Sequence, residues 1–155
     1  MLQTEFGGKE GLFVRAFDAY ITKAEQTVYL PISRGDLTST VKTLQDLFDI
    51  KKNPMVCHGC FATNTLIEVS ATSIEIDKRR VLFLEVMKKS FMSALKNTKN
   101  KGQLRKNFNI EKAASFLIVS LIGIFSLVRT GDKTTFSRSA WEHLVYQIKA
   151  WQESK

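Results

Sequence analysis

The run AASFLIVSLIGIFSLV, Ala113 to Val128, carries no charge and is apolar on nearly every side of a helix. It constrains the fold more than any other stretch, because a helix apolar all round must be buried from several directions. Wound as an α-helix it rises about 1.5 Å per residue, roughly 24 Å in all, short of the ~30 Å hydrocarbon core of a bilayer. Lys112 and Arg129 bound it with no aromatic belt between. A buried core helix is expected, not a membrane span. With 155 residues, 44% of them hydrophobic, the chain holds enough apolar side chains for one good core.

The rest of the sequence supplies helices to surround that one. Only two prolines interrupt it, Pro31 and Pro54. Leu12, Ala16, Tyr20, Ala24 and Val28 recur every fourth residue with Phe13, Phe17 and Ile21 beside them, a broad apolar stripe that Pro31 limits. From about Asp36, residues Leu37, Val41, Leu44, Leu47 and Phe48 repeat the pattern until Lys51–Lys52–Asn53–Pro54. A shorter apolar stretch covers Cys60 to Ala71. The segment from Ile74 to about Lys96 places Val81, Leu84, Phe91 and Leu95 on one side, widened by Phe83, Met87 and Ala94. Gly131 stands where a helix-ending glycine belongs. Thr134 or Thr135 then caps a last helix with Trp141, Leu144, Val145, Ile148 and Trp151 in line. No stretch alternates with the period of a strand, so the fold class is all-α.

The net charge of +8 favours an anionic partner, nucleic acid before acidic lipid. Its one local cluster, KNTKNKGQLRK from Lys96 to Lys106, reads as a solvated loop. Two cysteines are too few for a disulfide scaffold, and no secretory signal opens the chain, which points to a reducing cytoplasm. Both thiols fall in CHGCFATNT. A thioredoxin-like pair would follow a strand, and none is expected here. Zinc would need Cys57, His58, Cys60 and His143 to converge. A structural role leaves Cys60 as a small apolar residue at a helix start. A thiol with lowered pKa at that helix start, Cys57 or Cys60, stays open as an electrophile or oxidant sensor. No metal or other cofactor is expected, and no acid/base constellation suggests an enzyme.

The opening LQTEFGGKEGLFVRAFDAYI resembles the segment of TetR-family transcriptional regulators that leads from the recognition helix into the long connecting helix. The family pattern is roughly Leu-Tyr-x-His-Phe-x-x-Lys-Glu-x-Leu. Leu2, Phe6, Lys9, Glu10 and Leu12 match it, whereas Gln3 and Glu5 replace the usual tyrosine and histidine. GCFATNTLIEVS, Gly59 to Ser70, is similar to the Gly-Cys-Leu-x-x-Asn-x-x-x-Glu stretch of many regulatory domains, through Gly59, Cys60, Asn64 and Glu68.

The resemblance implies residues 1–8 as a remnant of the helix-turn-helix and 9–152 as a helical ligand-binding and dimerisation domain. It implies a repressor in which a small-molecule effector biases a homodimer between states that differ in DNA binding. DNA contact in this chain would rest on Lys9 at a phosphate, which carries no base specificity. The effector pocket is expected among Phe17, Tyr20, Asn64, Met87, Phe91, Phe116 and Ser120, and the abundance of Phe and Met suits an apolar or aromatic molecule. The last two helices are expected to pair in the homodimer through Phe116, Leu117, Leu121, Phe125, Trp141, Leu144 and Ile148. The rival reading is a helical interaction module that assembles through the same faces without a ligand.

Overall fold

The computed structural model describes residues 7–49, 51–68, 73–131 and 136–152, and within them the chain folds into helices joined by short corners. In chain order these are α1 (Gly8–Ala24), a π-helical turn (Glu25–Tyr29), α2 (Leu30–Arg34), α3 (Leu37–Phe48), a 3-10 turn (Pro54–His58), α4 (Phe61–Glu68), α5 (Ile74–Asn100), α6 (Ile110–Arg129) and α7 (Phe136–Trp151). Side chains fix several of the starts. The Asp36 carboxylate accepts from the Ser39 N–H at 3.0 Å, while Ser39 Oγ accepts from the Asp36 N–H at 2.8 Å, a reciprocal box that opens α3. Ser73 and Asn109 cap α5 and α6 in the same way, by accepting from Ile76 N and Lys112 N. Gly131 follows α6 at φ 74°, the left-handed conformation of a helix-ending glycine. The proposed caps Thr134 and Thr135, and the motif residues Leu2 to Phe6, lie outside the described residues.

Pro31 does not end the first helix. Leu30 N–H reaches back five residues to the Glu25 carbonyl, so the helix opens by one residue just before the proline and then runs on through α2. The extra residue makes room where a proline has no N–H to give and its ring crowds the preceding turn. It also advances everything after it by roughly 100°. That rotation turns Tyr29 and Ile32 onto the core line already held by Phe17 and Ile21, all four buried. The core stripe of α1 is therefore centred on Phe13, Phe17 and Ile21, and Leu12 and Ala16, expected on it, are exposed.

The long α5 runs beside α1, α2, α4 and α6, with α7 packed on α6 and α3. Its buried face is Ile76, Phe83, Met87, Phe91, Ala94 and Leu95, and Val81, expected there, stands 55% exposed. The helix also continues four residues beyond Lys96, so the first part of the basic cluster is not a loop. Thr98 is fully buried: its Oγ1 accepts from Leu37 N at 2.9 Å and donates to the Ala94 carbonyl at 2.8 Å. Asn97 Nδ2 donates to the carbonyls of Ser33 and Gly35, and Lys101 Nζ reaches Asp36. The end of α5 thus clamps the corner between α2 and α3.

α6 is long and apolar enough to cross a membrane by length and composition. Here one side of it, Ala113, Ala114, Leu117, Leu121, Ile124 and Phe125, is sealed in the core. Trp141 of α7 lies tilted on Phe48, and Phe48 in turn stacks on Phe125, each pair 4.8 Å apart.

Candidate functional site

A cleft of about 550 Å³ opens between α1, the π-helical turn, the 3-10 turn and the start of α4. α1 and the π turn contribute Tyr20, Lys23, Ala24, Thr27 and Val28. The opposite wall holds Leu47, Asn53, Met55, His58, Gly59, Phe61 and Asn64. The volume is in the range of small-molecule sites. Its floor is aromatic, for Phe61 meets Tyr20, Phe17 and Phe13 edge to face with ring centres 5.4–5.6 Å apart.

The Gly-Cys-x-x-x-Asn residues build the turn between these walls. Gly59 adopts φ 74°, and a side chain there would meet the Phe125 carbonyl oxygen at 3.0 Å and Arg129 Cβ at 3.1 Å. Asn64 Nδ2 donates back to the His58 carbonyl at 3.3 Å and holds the 3-10 turn against α4. Glu68, at the other end of α4, pairs with Arg129 of α6. Cys60 is buried at the helix start, where its sulfur accepts from the Tyr20 hydroxyl at 3.1 Å. Burial, reinforced by the neighbouring Cys60, pushes the Tyr20 phenol above its ordinary pKa, so Tyr20 stays a neutral donor. Cys57 is exposed and turns its thiol to the Pro54 carbonyl at 3.2 Å. His143 sits on α7 beside Gln147, lining a different cavity from His58. Among the described residues no group of three His, Cys, Asp or Glu is arranged for a metal.

The expected pocket residues divide among three places. Tyr20 and Asn64 line the cleft. Phe17, Met87 and Phe91 are sealed in the core beneath it. Phe116 and Ser120 line a separate groove of about 480 Å³ on the outer side of α6 and α7, with Val119, Gly123, Leu127, Ala140 and His143. Lys23, Thr27, Val28, Asn53, Met55 and His58 were not foreseen in the cleft. Thr27, Met55 and His58 come from the π turn and the 3-10 turn, where helical periodicity announces nothing, and Val28, expected on the apolar stripe, reaches the cleft from the π turn.

The residues expected to pair two copies are also redistributed. Leu117, Leu121, Phe125, Leu144 and Ile148 belong to this chain's own interior, and Trp141 is half-buried on Phe48. What remains outside is a second apolar face on the same two helices. It shows Phe116 at 43% exposed, Val119 at 70%, Leu127 at 42% and Tyr146 at 64%. Lys9 is exposed in the first turn of α1.

No curated protein matches the chain. In fold it is similar to a TetR transcriptional regulator from Chloroflexus aurantiacus J-10-FL, with a TM-score of 0.79 over 98% of this chain and 78% of the other, at 19% sequence identity. The tetracyclin repressor-like C-terminal domain family matches residues 40–144, a span that takes in the 3-10 turn, α4, the whole of α5 and α6, and α7 as far as Leu144. This chain belongs to that family, and it is a TetR-family transcriptional regulator.

Proposed function

We propose that this regulator receives a small molecule in the cleft between α1 and α4 and works as a cytoplasmic homodimer joined through the outer face of α6 and α7. One observation carries the reading: the helix that lines the cleft with Tyr20, Lys23 and Ala24 is the one that begins at Gly8, next to the N-terminal segment. A ligand that fits one setting of α1 better than another shifts the balance between them by its difference in affinity. The effect passes straight along one helix to whatever precedes it, which in regulators of this kind is the DNA-reading head. Regulators of this family generally act by binding rather than by catalysis, and we read this chain the same way.

The apolar outer face supports the second half of the reading, since contiguous exposed apolar surface marks a contact site. Light scattering on the purified chain at tens of micromolar tests it. A dimeric mass that falls to a monomer with Val119→Glu, at unchanged helix content, is the expected result. A monomeric mass for the unaltered chain would overturn the dimer. The same groove would serve a module that assembles without any ligand, and a dimer that binds no small molecule at the cleft would favour that reading.

A further inference from the structure

Resting on the cleft as the effector site, the geometry points to a ligand class: we propose that the cleft takes an amphipathic carboxylate, with an apolar body of aromatic or alkyl character and one anionic end. The argument comes from which polar groups are already committed. Asn53 Nδ2 donates to the Leu47 carbonyl at 2.9 Å. Asn64 donates to His58 O, and Tyr20 to Cys60. Thr27 Oγ1 gives its proton to the Lys23 carbonyl at 2.8 Å. Asn53 and Asn64 each keep a second amide N–H and an Oδ1, but Lys23 and His58 are the lining side chains whose nitrogens have no hydrogen bond or ion pair at all among the described residues.

No aspartate or glutamate lines the cleft among the described residues. Of the nearby acids, Asp18 pairs with Arg79, Asp46 with Lys52 and Glu68 with Arg129, and Glu25, exposed at the start of the π turn, does not line the cleft. The charge presented to a ligand is therefore positive, and a cationic ligand would meet Lys23 with nothing to offset it. The remainder of the wall is apolar, with Phe61, Val28, Leu47 and Met55 facing the same space. An apolar body against that wall and a carboxylate at Lys23 and His58 satisfy both surfaces at once. The charge-assisted hydrogen bond at Lys23 is the element that distinguishes an acid from its neutral isostere.

The test uses two matched pairs, 4-phenylbutyrate and 1-naphthaleneacetate, each beside its primary amide, titrated calorimetrically into the full chain, Lys23→Gln and Ala24→Phe. Lys23→Gln removes the charge at an exposed, unpartnered position and keeps the cleft's shape. Ala24→Phe fills the cleft from the α1 side, and circular dichroism reports whether each variant keeps its helices. The expected result is an acid that binds at least tenfold more tightly than its amide. That ratio should fall to about one in Lys23→Gln, and both ligands should be lost in Ala24→Phe. Equal binding of acid and amide, abolished by Ala24→Phe, would overturn the proposed class and leave the cleft standing as the effector site. Binding of either ligand that survives Ala24→Phe, or no binding by any of the four, would overturn the class and the cleft together.

Discussion

At Gly59 the backbone stands at φ 74° with the Phe125 carbonyl oxygen only 3.0 Å from where a Cβ would sit. Gly102 shares the positive φ, 67°, but ends a helix and faces open space, whereas Gly59 at ψ −156° lies in a region that glycine alone enters readily. Left-handed backbone costs an L-residue roughly 1–2 kcal/mol, so Gly102→Ala should lose about that much stability. Gly59→Ala should lose at least about 1 kcal/mol more, because its backbone region is costlier for alanine and α6 or the 3-10 turn must shift as well. Urea midpoints of the two variants check this, and equal losses would show that neither the backbone at Gly59 nor its approach to Phe125 adds to the cost. The same turn separates the two thiols. Cys57 is exposed, whereas Cys60 is buried under Tyr20. A thiol reagent should label Cys57 quickly in the native protein and Cys60 only as denaturant opens the fold. Cys57→Ser and Cys60→Ser assign the two phases, and equal native rates would contradict the burial of Cys60.

Among the elements, the corner between α2 and α3 depends on residues far away in the chain. Thr98→Val keeps the shape of the side chain but leaves the buried Leu37 N–H without its acceptor. The expected loss is about 1–3 kcal/mol, whereas Thr98→Ser should retain most of the stability. Chemical denaturation of the pair decides, and similar values would remove the hydrogen bond from the account. At the same corner the Lys101 ammonium, aided by the Ser39 N–H, holds the Asp36 carboxyl at about 2, below the ordinary carboxylate value of 3.8. A carboxyl whose pKa is lowered in the fold stabilises it above the unfolded pKa. That contribution is lost as pH falls from about 4 to about 2, and solvent around Lys101 keeps it near 1–2 kcal/mol. Asp36→Asn should flatten the stability profile in that window, and an unchanged profile would sink the assignment. Periodicity alone made the helices legible: the stripes of α3, α6 and α7 emerge where Leu44, Leu121 and Leu144 led. The clamp was not legible, because in KNTKNK the charges of Lys96 and Lys99 mask an inward Asn97 and Thr98. The cleft was legible only in part. Tyr20 and Asn64 fall on helices, but Thr27 and His58 reach it from turns that follow no period.

Across the whole molecule, α6 presents two apolar faces with opposite fates. Leu121 is sealed against this chain's own core, while Val119 stands 70% exposed two residues away. Leu121→Glu should therefore unfold the chain, by 3 kcal/mol or more for an unpaired charge placed in the interior, roughly. Val119→Glu should leave thermal unfolding of the single chain nearly unchanged and act on association alone. Thermal melts read beside sedimentation separate the two effects, and loss of helix in Val119→Glu would place that residue in the core as well. The π-helical turn has a consequence at the same scale. Backbone hydrogen bonding counts in whole residues, so the surplus residue before Pro31 cannot be dissolved by degrees. It stays, moves along by one position, or goes, and each move turns one part of the rod against the other by roughly 100°. The first helix is in this sense a dial with stops. A molecule pressed on Thr27 and Val28 would choose among a few settings instead of straining a spring.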